Sequence, residues 1–109
     1  MWNIEKIKKD VRSNLYDYRY NHSIRVMEEA KRLAEHYKAD IEKCMLCGLT
    51  HDMCKEFTLE ENEDFIKKYN LPKELLNAEN KNMIHGVIAS ILVKEKYNFT
   101  EDMVLAIRY

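Results

Sequence analysis

The chain has 109 residues, enough for one domain that buries roughly 65% of the surface its unfolded form exposes. Its 18 Lys and Arg nearly balance 19 Asp and Glu, leaving a formal charge of −1, which argues against a nucleic-acid binder driven by a basic surface. No apolar run approaches the roughly 20 residues of a membrane span and no secretory signal opens the chain, so a cytoplasmic protein is expected.

Two glycines and one proline leave few of the turn residues that bracket strands, and 34% of the chain is charged, so an all-α domain is predicted. The three cysteines, an odd number without a secretory signal, read as reduced thiols. Cys44 and Cys47 form a C-x-x-C, but no second ligand pair and no βαβ pattern accompanies them. Both lie in an apolar helical stretch and read as core.

In chain order, Ile4, Ile7, Val11 and Leu15 recur at spacings of three and four and define a short amphipathic helix, with Trp2 packing at its start. Asn14 and Asp17 mark its end and the cap of the next. A long helix over about 17–37 follows, with Ile24, Met27, Leu33, Ala34 and Tyr37 as its apolar stripe. His22 precedes Val26 by four residues and is placed on that buried side; Arg19 lies one turn before it. His36, near the helix end, reads as a surface residue. Asp40 caps a third helix, which stays apolar through Cys44, Met45, Gly48 and Leu49 before His51-Asp52 interrupts it. Gly48 costs about 1 kcal/mol relative to alanine in a helix, so a neighbouring backbone is expected to approach closely there.

Thr58-Leu59-Glu60-Glu61 is a capping box that opens a helix carrying Phe65, Ile66 and Tyr69 and ending at Asn70. Pro72 is placed at the first position of a short helix, and 77–82 reads as a polar loop. From Met83 the helical pattern returns, with Ile84, Val87, Ile88 and Ile91 beside His85, and Gly86 again implies a close approach. Thr100 caps a last helix that begins with Met103, Val104 and Ile107 and is still apolar where the sequence stops.

Three of the four histidines therefore fall on or beside apolar helical patterns, each on a different helix. Any one alone reads as a hydrogen-bonded core residue. Together with Asp52 they read as one metal site built from facing helices, with a nitrogen and carboxylate donor set suited to iron, manganese or zinc. Lys55 follows Asp52 by three residues on the same helical face, as Arg19 precedes His22 by three.

The words Arg19-Tyr20-Asn21-His22-Ser23, Gly48 to Lys55 (GLTHDMCK), Ile84-His85-Gly86 and Ala106-Ile107-Arg108-Tyr109 resemble the HD-domain superfamily of metal-dependent phosphohydrolases. Within it they are most similar to the YqeK-like branch, which splits diadenosine tetraphosphate symmetrically into two ADP. The resemblance runs from about residue 17 to 109 and implies a single-domain helical bundle with a dinuclear site, usually iron. It implies that His22, His51 and Asp52 hold one metal, with Asp52 bridging to a second held partly by His85. It further implies Asp52 and Lys55 as catalytic residues and Arg19 and Lys55 as substrate contacts. The family pattern continues with a histidine directly after the words matched by Ala106–Tyr109, and later with an aspartate. The sequence ends before both, so a domain truncated at its C-terminal end is expected, each metal short of one protein ligand. The alternatives are hydrolysis of another nucleotide, such as a deoxynucleotide or a guanosine polyphosphate alarmone, and a non-catalytic HD-like sensor or scaffold. A homodimer is expected to cover the apolar last helix.

Overall fold

The computed structural model describes residues 2–108, with the backbone alone at Ala78, Lys81 and Asn82. Among the described residues there is no strand; the elements are α1 (Ile4–Asn14), α2 (Asp17–Tyr37), α3 (Ile41–Thr50), α4 (Leu59–Tyr69), α5 (Lys81–Tyr97) and α6 (Glu101–Arg108). Two 3-10 turns, Lys73–Leu76 and Ala78–Asn80, join α4 to α5. The predicted caps account for most boundaries. Asp40 accepts from the Lys43 backbone N–H at 3.0 Å, and Thr58 and Glu61 close both arms of their capping box. Asn70 and Asn98 end α4 and α5 in the left-handed conformation that asparagine tolerates.

Three boundaries differ from the sequence reading. Asp17 is the first residue of α2 and Tyr16 holds the cap position, with no side-chain cap bond. Pro72 flanks the 3-10 turn from outside, and the 77–82 stretch is a 3-10 turn that runs into α5 at Lys81. Tyr109, the last residue of the Ala106–Tyr109 motif, lies outside the described residues.

α3 forms the spine of the bundle. It packs most extensively on α2, and also meets α1 and α6, while α5 packs on α6 and on the α4 side. Leu46, Leu49, Met53, Ile88, Val93 and Met103 fill the space between them almost without exposure. Both glycines sit where helices nearly touch. A Cβ on Gly48 would lie 3.2 Å from the Met27 Cα and the Val26 carbonyl oxygen of α2, and one on Gly86 would lie 2.9 Å from the Arg108 carbonyl oxygen of α6. The N-terminus is tied down by the Trp2 Nε1–H, which donates to the Tyr97 carbonyl at 2.8 Å, and by Tyr97 Oη, which donates to Asp10 at the same distance.

Of the expected α2 stripe, Met27 and Ala34 are buried and Ile24 packs against the core, while Leu33 and Tyr37 are not. Ser23, Met27 and Ala34 face the core, which leaves Leu33 and Tyr37 exposed and places His22 at the open edge rather than inside. Met27 faces α3 where Gly48 lets the two helices approach closely.

Candidate metal centre

α3 ends at Thr50, so His51 and Asp52 are not in the helix but in the turn that follows it. The turn is held by short-range backbone bonds, from the N–H of Met53 to Thr50 O, of Lys55 to Asp52 O and of Phe57 to Cys54 O. His51 holds the cap position of α3 with right-handed helical backbone angles and its N–H bonded to the Cys47 carbonyl, and its side chain meets that of Asp52 there. His51 Nε2 lies 3.2 Å from Asp52 Oδ2, and Lys55 Nζ lies 3.7 Å from Asp52 Oδ1.

α2 supplies the third member. The His22 and His51 rings stand 6.3 Å apart between centroids, and one ligand atom from each of His22, His51 and Asp52 fits within 4.8 Å of the others. His51 Nδ1 lies 2.7 Å from the Gly48 carbonyl, which fixes that nitrogen as the N–H donor and leaves Nε2 directed at Asp52. An imidazole lone pair and a carboxylate at 3.2 Å repel unless a cation lies between them, either a proton or a metal. The hydrogen bond from His51 holds the Asp52 carboxyl below its usual range, and the same bond raises His51. The donor set of two imidazoles and one carboxylate fits a divalent first-row metal.

His85, the fourth residue singled out in the sequence, lies outside this group. It is half-buried on α5 and lines a cavity of about 320 Å³ together with Lys55, Phe57, Asn62, Leu75 and Ile84. Lys55 therefore belongs to both places, bound to Asp52 on one side and facing the cavity on the other. Arg19 donates through Nε to Glu56 Oε1 at 2.9 Å and lies over the Tyr18 ring, so it pins the start of α2 to the end of the His51–Glu56 turn. Attraction to the Tyr18 and Glu56 side chains outweighs desolvation and raises the Arg19 guanidinium further.

Two residues escaped the sequence reading. Glu56 follows the motif directly and was signalled only by Arg19 needing a partner. Asn62 is a polar residue four positions before Ile66, on the buried side of α4, where helical periodicity calls for an apolar one. Buried oxygens without a hydrogen-bond partner among the described residues occur at Ser23, next to His22, and at Glu56 and Asn62. Such atoms are costly in a closed core and concentrate at sites that meet water, ions or ligands.

A second, larger trough of about 610 Å³ runs between α2, α3 and α6 and reaches the other flank of His51. Ala30, Ala34, Cys44, Cys47, Met103 and Ala106 line it. All three cysteines are free, and desolvation pushes the Cys47 thiol up to about 11. The C-x-x-C pair is thus half-buried wall, short of the full core burial expected of it.

The HD domain family model matches residues 19–109. The chain belongs to the HD-domain family. It is 36% identical over 108 residues to the symmetrical bis(5′-nucleosyl)-tetraphosphatase of Staphylococcus aureus, covering 98% of this chain and 55% of that protein. The Bacillus subtilis protein of the same name is 32% identical over 108 residues, with 98% and 58% covered. A crystal structure described as a predicted HD superfamily hydrolase involved in NAD metabolism, from Clostridium acetobutylicum, superposes with a TM-score of 0.84 at 34% identity. That superposition covers 99% of this chain and 58% of the other. The chain thus spans little more than half the length of the relatives it matches. The all-α HD fold expected from the sequence is the fold observed. No helix among the described residues is long and apolar enough to cross a membrane.

Proposed function

We propose that the protein is a metal-dependent phosphohydrolase that cleaves diadenosine tetraphosphate symmetrically to two ADP. The observation that carries this reading is the convergence of His22, His51 and Asp52 on one point with Lys55 beside them. Relatives over almost the whole chain that are named for this reaction support it. In this reading His22, His51 and Asp52 hold one divalent ion, with iron first and manganese or zinc as alternatives, and His85 contributes to a second. Bound divalent ions lower the pKa of a coordinated water toward neutrality and clamp phosphoryl oxygens.

The chain's own residues do the rest. The Gly48 carbonyl holds the His51 tautomer, so Nε2 stays available as a ligand. Lys55, anchored by Asp52, sits where the phosphate chain passes and offsets its charge. Arg19, held by Glu56, presents its guanidinium edge to a phosphate from the α2 side. Lys55 Nζ lies 3.7 Å from Asp52 Oδ1, so the carboxylate stays ionised as a ligand must be.

Product analysis tests the reading. Incubation of the protein with diadenosine tetraphosphate and Fe²⁺ or Mn²⁺ is expected to yield ADP as the sole nucleotide product. AMP and ATP in equal amounts would mean asymmetric cleavage, and turnover of a deoxynucleotide or a guanosine polyphosphate in preference would move the substrate elsewhere. Either result overturns the assignment.

A further inference from the structure

The three converging side chains come from two separate stretches, α2 and the turn after α3, so their spacing depends on what joins those stretches. Two contacts do so close to the centre. One is the approach of Gly48, three residues before His51, to the backbone of Met27, five residues after His22. The other is Arg19, three residues before His22, whose Nε–H donates to Glu56 Oε1 at 2.9 Å, one residue beyond Lys55. His22, His51 and Asp52 thus lie between two ties, one of them built on a glycine and the other on an ion pair. The first turn of α2 has no side-chain cap, since Tyr16 occupies that position, so its placement falls to tertiary contacts.

The ion pair is a poor device for stability alone. Its side chains are 34% and 17% exposed, and Glu56 Oε2 is buried with no hydrogen-bond partner among the described residues. Desolvation offsets most of the attraction in such a pair. What it fixes well is direction, because a charge-assisted N–H···O bond tolerates little slip. The Arg19 guanidinium is held further by lying 5.4 Å from the Tyr18 ring centroid.

We propose that Glu56 is a positioning residue of the metal centre, which sets through Arg19 the distance of His22 from His51 and Asp52. The inference rests on the metal-dependent reading above. Ligand side chains must be held to within about 0.5 Å of the productive arrangement for a site to work. Arg19 and His22 stand one turn apart on one face of α2, so a shift of the helix start carries the imidazole with it. Loss of Glu56 releases that end of α2 while Gly48 still holds the helix at Met27, and His22 swings away from its partners.

The test is Mn²⁺ binding to the 109-residue chain, read from the paramagnetic resonance of the free ion, with urea unfolding of each metal-free variant beside it. Glu56→Ala is expected to weaken Mn²⁺ binding about 10- to 100-fold, the range for lost outer-shell support. Glu56→Gln keeps an oxygen acceptor for Arg19 and should fall between it and the unaltered chain. Glu29→Ala, which removes an exposed ion pair with Arg32 on the same helix, should bind Mn²⁺ as the unaltered chain does. A second measurement needs no metal: the nuclear Overhauser contact between the His22 and His51 rings, 6.3 Å apart, should weaken in Glu56→Ala while those between Gly48 and Met27 persist. Should Glu56→Ala fail to fold, the same two readings on Glu56→Gln decide. A lowered urea midpoint with unchanged Mn²⁺ affinity, an equal loss in Glu29→Ala, or an unchanged His22–His51 contact overturns the positioning role. The metal reading then still stands on Mn²⁺ binding that disappears in Asp52→Asn. Mn²⁺ binding that is absent from the unaltered chain, or that survives Asp52→Asn, overturns both.

Discussion

The turn from His51 to Lys55 lies between two concave regions, and they differ in kind. The trough between α2, α3 and α6 has about twice the volume of the cavity under α4 and α5, and its walls are mostly small and apolar side chains, with His51 and the Lys43–Asp102 ion pair among them. The smaller cavity is lined by Lys55, Asn62 and His85 beside apolar side chains. Volume records where helices fail to meet. Convergent polar groups record where a ligand is recognised. His51 borders the first region and Lys55 the second.

Substitutions on the two sides should separate them. The largest effect is expected at the residue between them: Asp52→Ala removes the carboxylate and should reduce retained metal by more than the roughly 10- to 100-fold that loss of an outer-shell partner costs, measured by elemental analysis after dialysis. Normal metal content in that variant would overturn the centre. On the small-cavity side, Lys55→Ala should weaken ADP and GDP alike by about tenfold, a phosphate contact rather than a base contact. On the trough side, Leu33→Glu should leave both affinities within about twofold, because that side chain is exposed and lines the trough, not the smaller cavity. Equal losses in the two variants would erase the distinction.

Packing around the two regions should break in the same order. Gly86, next to His85, cannot take a Cβ without moving the Arg108 backbone, so Gly86→Ala is expected to cost about 1–3 kcal/mol by thermal or urea unfolding. Gly48, in the trough wall, meets α2 at 3.2 Å. There a helix-propensity gain of about 1 kcal/mol offsets the crowding, and Gly48→Ala should change stability by less than Gly86→Ala. The smallest effect concerns thiols. Burial pushes Cys54 up to about 12 and Cys47 up to about 11. A raised thiol pKa means less thiolate at pH 8, so a thiolate-selective reagent should modify Cys44 first and Cys54 only on unfolding, as peptide mass mapping would show. Early labelling of Cys54 would mean that the core around Met53 opens readily.

Much of this molecule follows from local chemistry, which a sequence carries openly. The capping box at Thr58 and Glu61, the Asp40 cap and the asparagines that end α4 and α5 act through residues within a few positions of each other. The period of the apolar residues likewise marks six helices, because burial of one face imposes it. The His-Asp word could be recognised as a motif and linked to His22 and His85 because each interrupts an apolar pattern.

Other features depended on distance in space. His51 and Asp52 stand where α3 gives way to a turn, and that their side chains meet at 3.2 Å shows only in the folded chain. His22 was expected on the buried side of α2, but it lies at the helix's open edge, with its ring 6.3 Å from that of His51. The pairing of Arg19 with Glu56, and the cavity lined by Lys55, Asn62 and His85, join residues with no fixed spacing. The sequence by itself determined which residues carry the chemistry, since residue type and helical period are local. Which of them share a point in space was decided by how α2, α4 and α5 pack around α3, because packing is a property of surfaces that only the folded chain brings together.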